Sequence, residues 1–502
     1  MDIEVDVAVV GGGGAGLAAA AEAAKLGRSV VLIEKEAQLG GSTAWSVGSI
    51  SATNTPYQQE LGIKDTPEEH FEDLGLLNSR FVGRDNEALR RLLVDNTTNL
   101  IEWLASLGIV FIGPMPEDPH RYPRMHNVVP NSRAFPYHLG IYCRKLGVDI
   151  RTKTAATSLI EKDGKVVGLS ARGPDGSEYV VVARGGVVLA SGDFSASAKL
   201  KTRYAEEQDV SEVDAVNPAA TGAGHELALE LGAQVVNGDI VRGPILRFIP
   251  PTRQNLLLRL PPWRLLSLCI KWAHKNLPER ILRPFMMSFL TTALGPSPTL
   301  FQAGAILINK EGRRFTDGIG DVARETAKQT DAMAFIVFDQ SFADKLSEYP
   351  NFISTAPGIA YAYLDDYRRN RKEIFHTAPT LDRLAASIGA PAEELISSVA
   401  AYNSDKGDRS KIKEPKFYAL GPVKAYVVFT DGGLQVNNRL QVMRDGAPIP
   451  GLYASGSVGQ GGALLEGHGH HLGWAFVSGR LAGKNCAFAV PPVARRNTAA
   501  IE

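Results

Sequence analysis

At 502 residues the chain exceeds what one compact core organises, which calls for two or three domains. Lysine plus arginine equals aspartate plus glutamate at 54 each, so no overall field draws the molecule to nucleic acid. Three scattered cysteines, Cys143, Cys269 and Cys486, give neither a disulfide framework nor metal-ligand spacing, and with no basic, apolar leader ahead of the first strand the expected setting is the cytoplasm.

The chain opens on a βαβ pattern. Residues 6–10 form a short apolar strand, residues 11–16 carry GxGxxG, residues 17–26 an alanine-rich helix, and residues 29–33 a second buried strand closing on Glu34. Gly11 permits a tight turn, Gly13 and Ala15 lie where a pyrophosphate approaches the backbone, and Gly16 lets helix and strand pack closely. Glu34 follows at about the distance at which an acid accepts hydrogen bonds from both hydroxyls of an unphosphorylated ribose. Together these point to a dinucleotide.

Glu34-Lys35 runs on into Gly40-Gly41-Ser42-Thr43 and then Gly48. This resembles the FAD-binding flavoproteins of the fumarate reductase and 3-ketosteroid dehydrogenase family, in which a second glycine turn wraps the pyrophosphate beside a small hydroxyl residue at the place of Ser42 or Thr43. The resemblance implies an α/β chain: a Rossmann-like FAD-binding domain of residues 1–240 and 426–502, interrupted by an α+β cap domain of residues 241–425. It also implies FAD without a covalent bond, since Ser42 to Trp45 offer no histidine for attachment.

Residues 65–110 read as helices, with apolar spacing of three and four over residues 86–107. Residues 114–136 are rich in Pro, His and Arg, lack periodicity and read as a long loop. In the ketosteroid branch this stretch places a tyrosine over the flavin, and Tyr122 stands at that position; His126 and Arg133 read as surface residues. Short strands are expected at residues 148–152 and 166–169, and the resemblance puts an adenine contact at the backbone near Ala156. Residues 186–194, GVVLASGDF, resemble the family's strand returning to FAD through Gly192, with Asp193 in place of a second glycine. Ala223 stands where the family usually has an acid.

Between Arg242 and Arg283 nine lysines or arginines face one acid, Glu279, interleaved with Leu256, Leu257, Leu258, Trp263, Leu265, Leu266, Trp272 and Leu277. The apolar runs fall short of the ~20 residues that span a bilayer. Two readings stay open: a segment lying on an anionic membrane or guarding a greasy entrance, over residues 242–300, or a helix pair with solvated cations. Residues 305–315 resemble the family's cap signature, downstream of which fumarate reductases place a proton-donating arginine. An ungapped count falls on Val322, and Arg324, two residues on, is either that group or a salt-bridge partner. Residues 381–402 form two amphipathic helices with Pro391 starting the second, and the polar tail after Pro491 is expected to be disordered.

Residues 451–456, GLYASG, and 467–483, GHGHHLGWAFVSGRLAG, return the chain to the first domain. The helix they open can face its N-terminal amides to a flavin pyrimidine, stabilising negative charge there. The resemblance assigns flavin contacts to Gly456, Ser457, His471 and Leu472. Dicarboxylate-reducing members place two histidines and an arginine where this chain has Val428, Phe429 and Glu466, and the steroid branch's tyrosine is replaced by Leu465. The trio His468, His470 and His471 lacks carboxylate or thiolate companions, so no metal is expected. Candidate proton-handling residues are Tyr122, Arg324 and His470. The leading expectation is dehydrogenation or ene reduction of a C–C bond beside an activating carbonyl in an apolar, steroid-like substrate, with an unassigned electron partner. Rivals are a membrane-attached flavoprotein passing electrons to quinone, a reductase of an unsaturated acid, and a flavin protein without redox turnover.

Overall fold

The computed structural model describes residues 2–251, 260–356, 360–405 and 409–490. Leu256, Leu257, Leu258 and the tail after Pro491 lie outside them. The chain divides into two compact units, one of Met1–Phe194, Ala219–Ile240 and Asp431–Glu502, the other of Ser195–Pro218 and Val241–Thr430. Residues 195–218, read from the sequence as part of the first domain, thus join the second unit, as do residues 426–430.

The first unit is built on a mostly parallel sheet. Strand β1 (Ile3–Val10) has β2 (Val30–Ile33) on one side and Glu178–Leu189 on the other, both parallel to it. Asp149–Arg151 extends the sheet beyond β2, and Ala447–Ala454 lies parallel to Glu178–Leu189. Strands buried on both faces read as continuous apolar runs, which is why β2, VVLI, shows no alternation. Helix α1 (Gly14–Lys25) packs against the last described helix, His470–Phe488. A Cβ added at Gly479 would fall 2.3 Å from Ala15 O, and one at Gly483 2.2 Å from Ala19 O. The alanine run of α1 and these two glycines therefore serve one purpose, a backbone-to-backbone approach that larger side chains would prevent.

The pattern over residues 86–107 resolves into helices Glu87–Val94 and Thr97–Ser106; strand Val110–Met115 runs into the start of the expected long loop, which supplies the whole of Met125–Val129, and both belong to a three-stranded antiparallel sheet. The second unit has its own core around a five-stranded antiparallel sheet, with Phe417–Tyr426 between Ile245–Phe248 and Met333–Asp339, an α+β arrangement. The basic segment forms helices Arg264–Asn276 and Glu279–Ala293. Among the described residues no helix is long and apolar enough to cross a membrane.

Candidate cofactor and substrate site

The turn from β1 into α1 explains its glycines one by one. Gly11 takes φ 109°, and a Cβ on it would sit 2.4 Å from Ala190 O. At Gly16 a Cβ would strike Gly11 O at 1.8 Å. A Cβ on Gly13 would meet nothing nearer than Gly40 O at 3.9 Å, so the backbone there is open to close approach by a ligand. The second glycine turn is tied to the first: Gly40 N donates to Gly12 O at 2.9 Å and Gly14 N to Thr43 Oγ1 at 3.1 Å. Thr43 thus faces inward, Gly41 and Ser42 are exposed, and Gly48 is needed because a Cβ would lie 2.5 Å from Val128 Cγ1.

Glu34 is buried, with Oε2 accepting from Gly12 N at 2.6 Å and Oε1 from Glu36 N at 2.8 Å. Each carboxylate oxygen keeps a further lone pair for a ribose hydroxyl. Lys35 Nζ donates to Thr221 Oγ1 at 2.7 Å, and burial lowers its pKa against the charges of Glu36 and Glu34. Ala156 lies half-buried near the start of strand Ala155–Lys162.

After strand Glu178–Leu189, Gly192 adopts φ 83° with open space where a Cβ would be. Asp193 stays outside the left-handed region and is buried, its carbonyl accepting from Gly222 N at 3.1 Å. The missing second glycine is therefore tolerated, because Gly192 alone takes the positive φ. Gly456, φ 64°, donates its N–H to Ser478 Oγ at 2.8 Å and accepts from Trp474 Nε1 at 3.1 Å, with Ser457 following half-buried. Helix His470–Phe488 starts at Gly469, where a Cβ would lie 2.4 Å from Ser51 N. His471 and Leu472 in its first turn are half-buried, and His471 Nε2 lies 3.6 Å from Oδ1 of the wholly buried Asp431.

Around His470 the structure assembles a group that sequence reasoning missed. His470 Nδ1 lies 2.6 Å from Glu466 O, which can only accept, so Nδ1 carries the proton. His470 Nε2 is then the acceptor facing His70 Nε2 at 3.0 Å, and His70 Nδ1 accepts from Thr53 Oγ1 at 2.8 Å. The His120 ring lies 5.3 Å from that of His470. Arg124 Nη1 donates to His120 Nδ1 at 2.9 Å and to Asp73 Oδ2 at 2.6 Å, while its Nε and Nη2 hold both oxygens of Asp65 at 2.8 and 2.6 Å. Burial first, then neighbouring imidazoles and the Arg124 charge, push His70 and His470 well below the usual histidine range. Burial and Arg124 lower His120 as well. Its Nε2 is buried and finds no partner among the described residues. His70, His120 and Arg124 carry no periodic signal, and His70 and His470 stand 400 positions apart.

Tyr122 is half-exposed, its hydroxyl 3.3 Å from Glu69 Oε1 and its ring 5.8 Å from the Arg124 guanidinium carbon. Its loop and His470 thus meet through Arg124 and His120. His126, read as a surface residue, is instead wholly buried, bonded to Thr55 Oγ1 at 2.9 Å and pushed by burial to about 4. It pairs in strand Met125–Val129, which the aperiodic sequence concealed. Arg133 is exposed. His468 is exposed and joined to Glu117, whose hydrogen bond raises the His468 pKa. In the second unit Arg324 is held by Asp321, which caps helix Val322–Ala327 at Arg324 N (3.0 Å), and by Gln208 O. Val428 and Phe429 are half-buried there, Phe429 pairing with Arg242 in a short ladder. Glu466 Oε1 binds Arg80 Nη2 at 2.6 Å. Among the described residues no group could hold a metal ion.

A family model described as FAD binding domain matches residues 6–244 and 287–467. NADH:acrylate oxidoreductase of Vibrio harveyi is 28% identical over 96% of this chain and 50% of its own, so the chain spans about half of that relative's length. Vinyl phenol reductase of Lactiplantibacillus plantarum is 26% identical over 96% of both chains. A flavocytochrome c3 fumarate reductase in an open conformation shares the fold, with a TM-score of 0.72 and 23% identity over 97% of this chain and 79% of that one.

Proposed function

The chain belongs to the FAD binding domain family, and from that premise we propose an FAD-dependent oxidoreductase acting on a CH–CH bond beside an activating carbonyl of an apolar substrate. The residues fit the cofactor. The backbone is open at Gly13 and Gly192, Glu34 keeps free lone pairs, and Gly41 and Ser42 are accessible beside the Gly13 turn. Gly11, Ala15, Gly16, Lys35, Thr43, Gly48 and Ala156 would complete the adenosine and pyrophosphate side; Gly456, Ser457, His471 and Leu472 would meet the flavin end. FAD, when bound, supplies the two-electron exchange at its N5.

The chain's own groups orient substrate and move the proton at the neighbouring carbon. Of the three candidates, Tyr122 is the one we retain for that proton. Tyr122 is half-exposed and its hydroxyl has one long contact, 3.3 Å to Glu69 Oε1, whereas His470 engages both ring nitrogens and Arg324 is engaged by Asp321 and Gln208. His470 then acts through His120 and Arg124, holding the tyrosine loop in place. The amides of the His470–Phe488 first turn present the positive end of the helix dipole.

What carries the substrate reading is the set Val428, Phe429 and Glu466. Two half-buried apolar side chains and an acid already paired with Arg80 stand where the resemblance puts the cations that hold a diacid. A poorly paired buried carboxylate costs several kcal/mol, while an apolar ring gains about 25 cal/mol per Å² taken from water. A relative of matching length named for vinyl phenol, which has neither carboxylate nor carbonyl, supports the apolar part of this reading alone. The test is an anaerobic screen of the purified flavoprotein, reduced with a dye and offered fumarate, acrylate, vinyl phenol, lipophilic enones and quinones, following flavin absorbance. Reoxidation by an enone but not by fumarate is expected, and reoxidation by vinyl phenol alone would keep the apolar substrate and remove the carbonyl. Efficient fumarate turnover overturns the reading, and turnover of quinone alone replaces it with the quinone-linked one.

A further inference from the structure

Helices Arg264–Asn276 and Glu279–Ala293 carry a surface that the redox chemistry does not use. In the first, Ser267 is buried and Leu266, Ile270 and Ala273 are half-buried toward the unit. Leu265, Leu268 and Trp272 point the other way, 75%, 44% and 62% exposed. At about 3.6 residues per turn these three fall on one stripe. Trp263 ahead of the helix and Ile281 and Phe285 in the next are exposed as well, at 59%, 46% and 56%. Lone exposed leucines are ordinary; six large apolar side chains, two of them tryptophan, within one stretch are not. Arg264 and Lys275 border the stripe, His274 and Arg280 are exposed nearby, and residues 264–278 contain no aspartate or glutamate.

We propose that this helix pair seats the protein on an anionic lipid surface, with the helices lying in the plane of the interface. The charge pattern selects that occupant. A stripe of leucine and tryptophan beside arginine and lysine matches a headgroup boundary, where apolar bodies enter the acyl region and cations meet lipid phosphates. A second copy of this chain is a poor match, because a face-to-face pair would bring two basic rims together. Thirteen residues rise only about 20 Å, and no described helix can cross a bilayer, so contact is in-plane. The inference stands apart from the choice of substrate.

Cys269, exposed and four residues after Leu265, gives a direct reporter, since Cys143 and Cys486 are buried and burial pushes the Cys143 thiol up to about 12. The full-chain flavoprotein would be sedimented with vesicles of phosphatidylcholine alone and of phosphatidylcholine and phosphatidylglycerol in equal parts. A sample labelled at Cys269 with an environment-sensitive maleimide would be read by emission. Binding to the anionic vesicles at least tenfold tighter than to the neutral ones is expected, with a blue shift of the probe and loss in 1 M salt, where the screening length falls to about 3 Å. Arg264→Gln with Lys275→Gln lowers partitioning by on the order of tenfold or more, from about 1 kcal/mol per cation. Leu265→Ser with Trp272→Ser does the same while thermal stability and flavin content stay unchanged. Absence of sedimentation with anionic vesicles, equal binding by wild type and both double variants, or a concentration-dependent dimer dissolved by Leu265→Ser with Trp272→Ser would each overturn the proposal.

Discussion

His470 Nε2 lies 3.0 Å from His70 Nε2, with both imidazoles wholly removed from water. Nitrogens can stand so close only if one donates and the other accepts. The outer partners decide which: a carbonyl at one end, a hydroxyl at the other. Protonating His470 would set two N–H groups against each other, and protonating His70 would take from Nδ1 the lone pair that accepts from Thr53.

Stability should therefore fall as the medium becomes acidic. His126 and His225 are pushed to about 4 by burial, and His70 and His470 are also displaced well downward. With folded values below the unfolded value of roughly 6.5, the unfolded state binds more protons below that pH. The stabilisation is complete above pH ~6.5 and declines toward pH ~4, by up to about 1.4 kcal/mol per pH unit for each histidine. Thermal unfolding between pH 7.5 and 5 checks this; a midpoint that stays level down to pH 5 contradicts it.

Removing the donor should hurt at neutral pH. His70→Phe leaves His470 Nε2 buried without its partner, a loss of about 1–3 kcal/mol. Chemical denaturation at pH 7.5 measures it, and an unchanged midpoint would refute the assigned donor.

Glu34→Ala removes the carboxylate that holds Gly12 N and Glu36 N and that the ribose would use. Loss of charge-assisted hydrogen bonds should weaken FAD binding by on the order of 1.5–3 kcal/mol, about ten- to hundredfold. Fluorescence titration of the apoprotein with FAD gives the ratio, and equal affinity for both proteins is incompatible with that role.

Acid precipitation should leave yellow FAD in the supernatant, because no histidine lies among Ser42 to Trp45. Flavin that stays on the pellet through repeated washing points to a covalent bond.

Gly479→Ala tests the contact between the first and last described helices. Helix propensity alone predicts a gain of about 1 kcal/mol. The new Cβ would instead fall 2.3 Å from Ala15 O, so we expect a net loss of about 1–3 kcal/mol and poorer flavin retention. A raised melting temperature would show that the helices have room to spare.

The parts legible in the sequence were those whose physics is local. Gly11, Gly13 and Gly16 announce a turn, VVLI a strand buried on both faces, and Pro391 the start of a helix, which it caps ahead of Ala392–Ser404. Asp193 looked like a defect only because two glycines were expected where one positive φ suffices. The histidine and arginine group was not legible. Arg124 is buried because Asp65 and Asp73 reach it from elsewhere in the chain, and His126 because strand pairing covers it. In an aperiodic loop rich in Pro, His and Arg, neither partner nor burial leaves a mark on the sequence.

The seam between α1 and His470–Phe488 also bears on the order in which the protein can be made. Gly14–Lys25 is synthesised long before His470–Phe488, the helix that covers it. Until Gly479 and Gly483 arrive, the alanine face of α1 has no wall on that side, and the Gly456 turn that Ser478 and Trp474 brace is unsupported. A nascent chain thus carries an open nucleotide fold until that later helix has been made, and the cofactor site closes only after it.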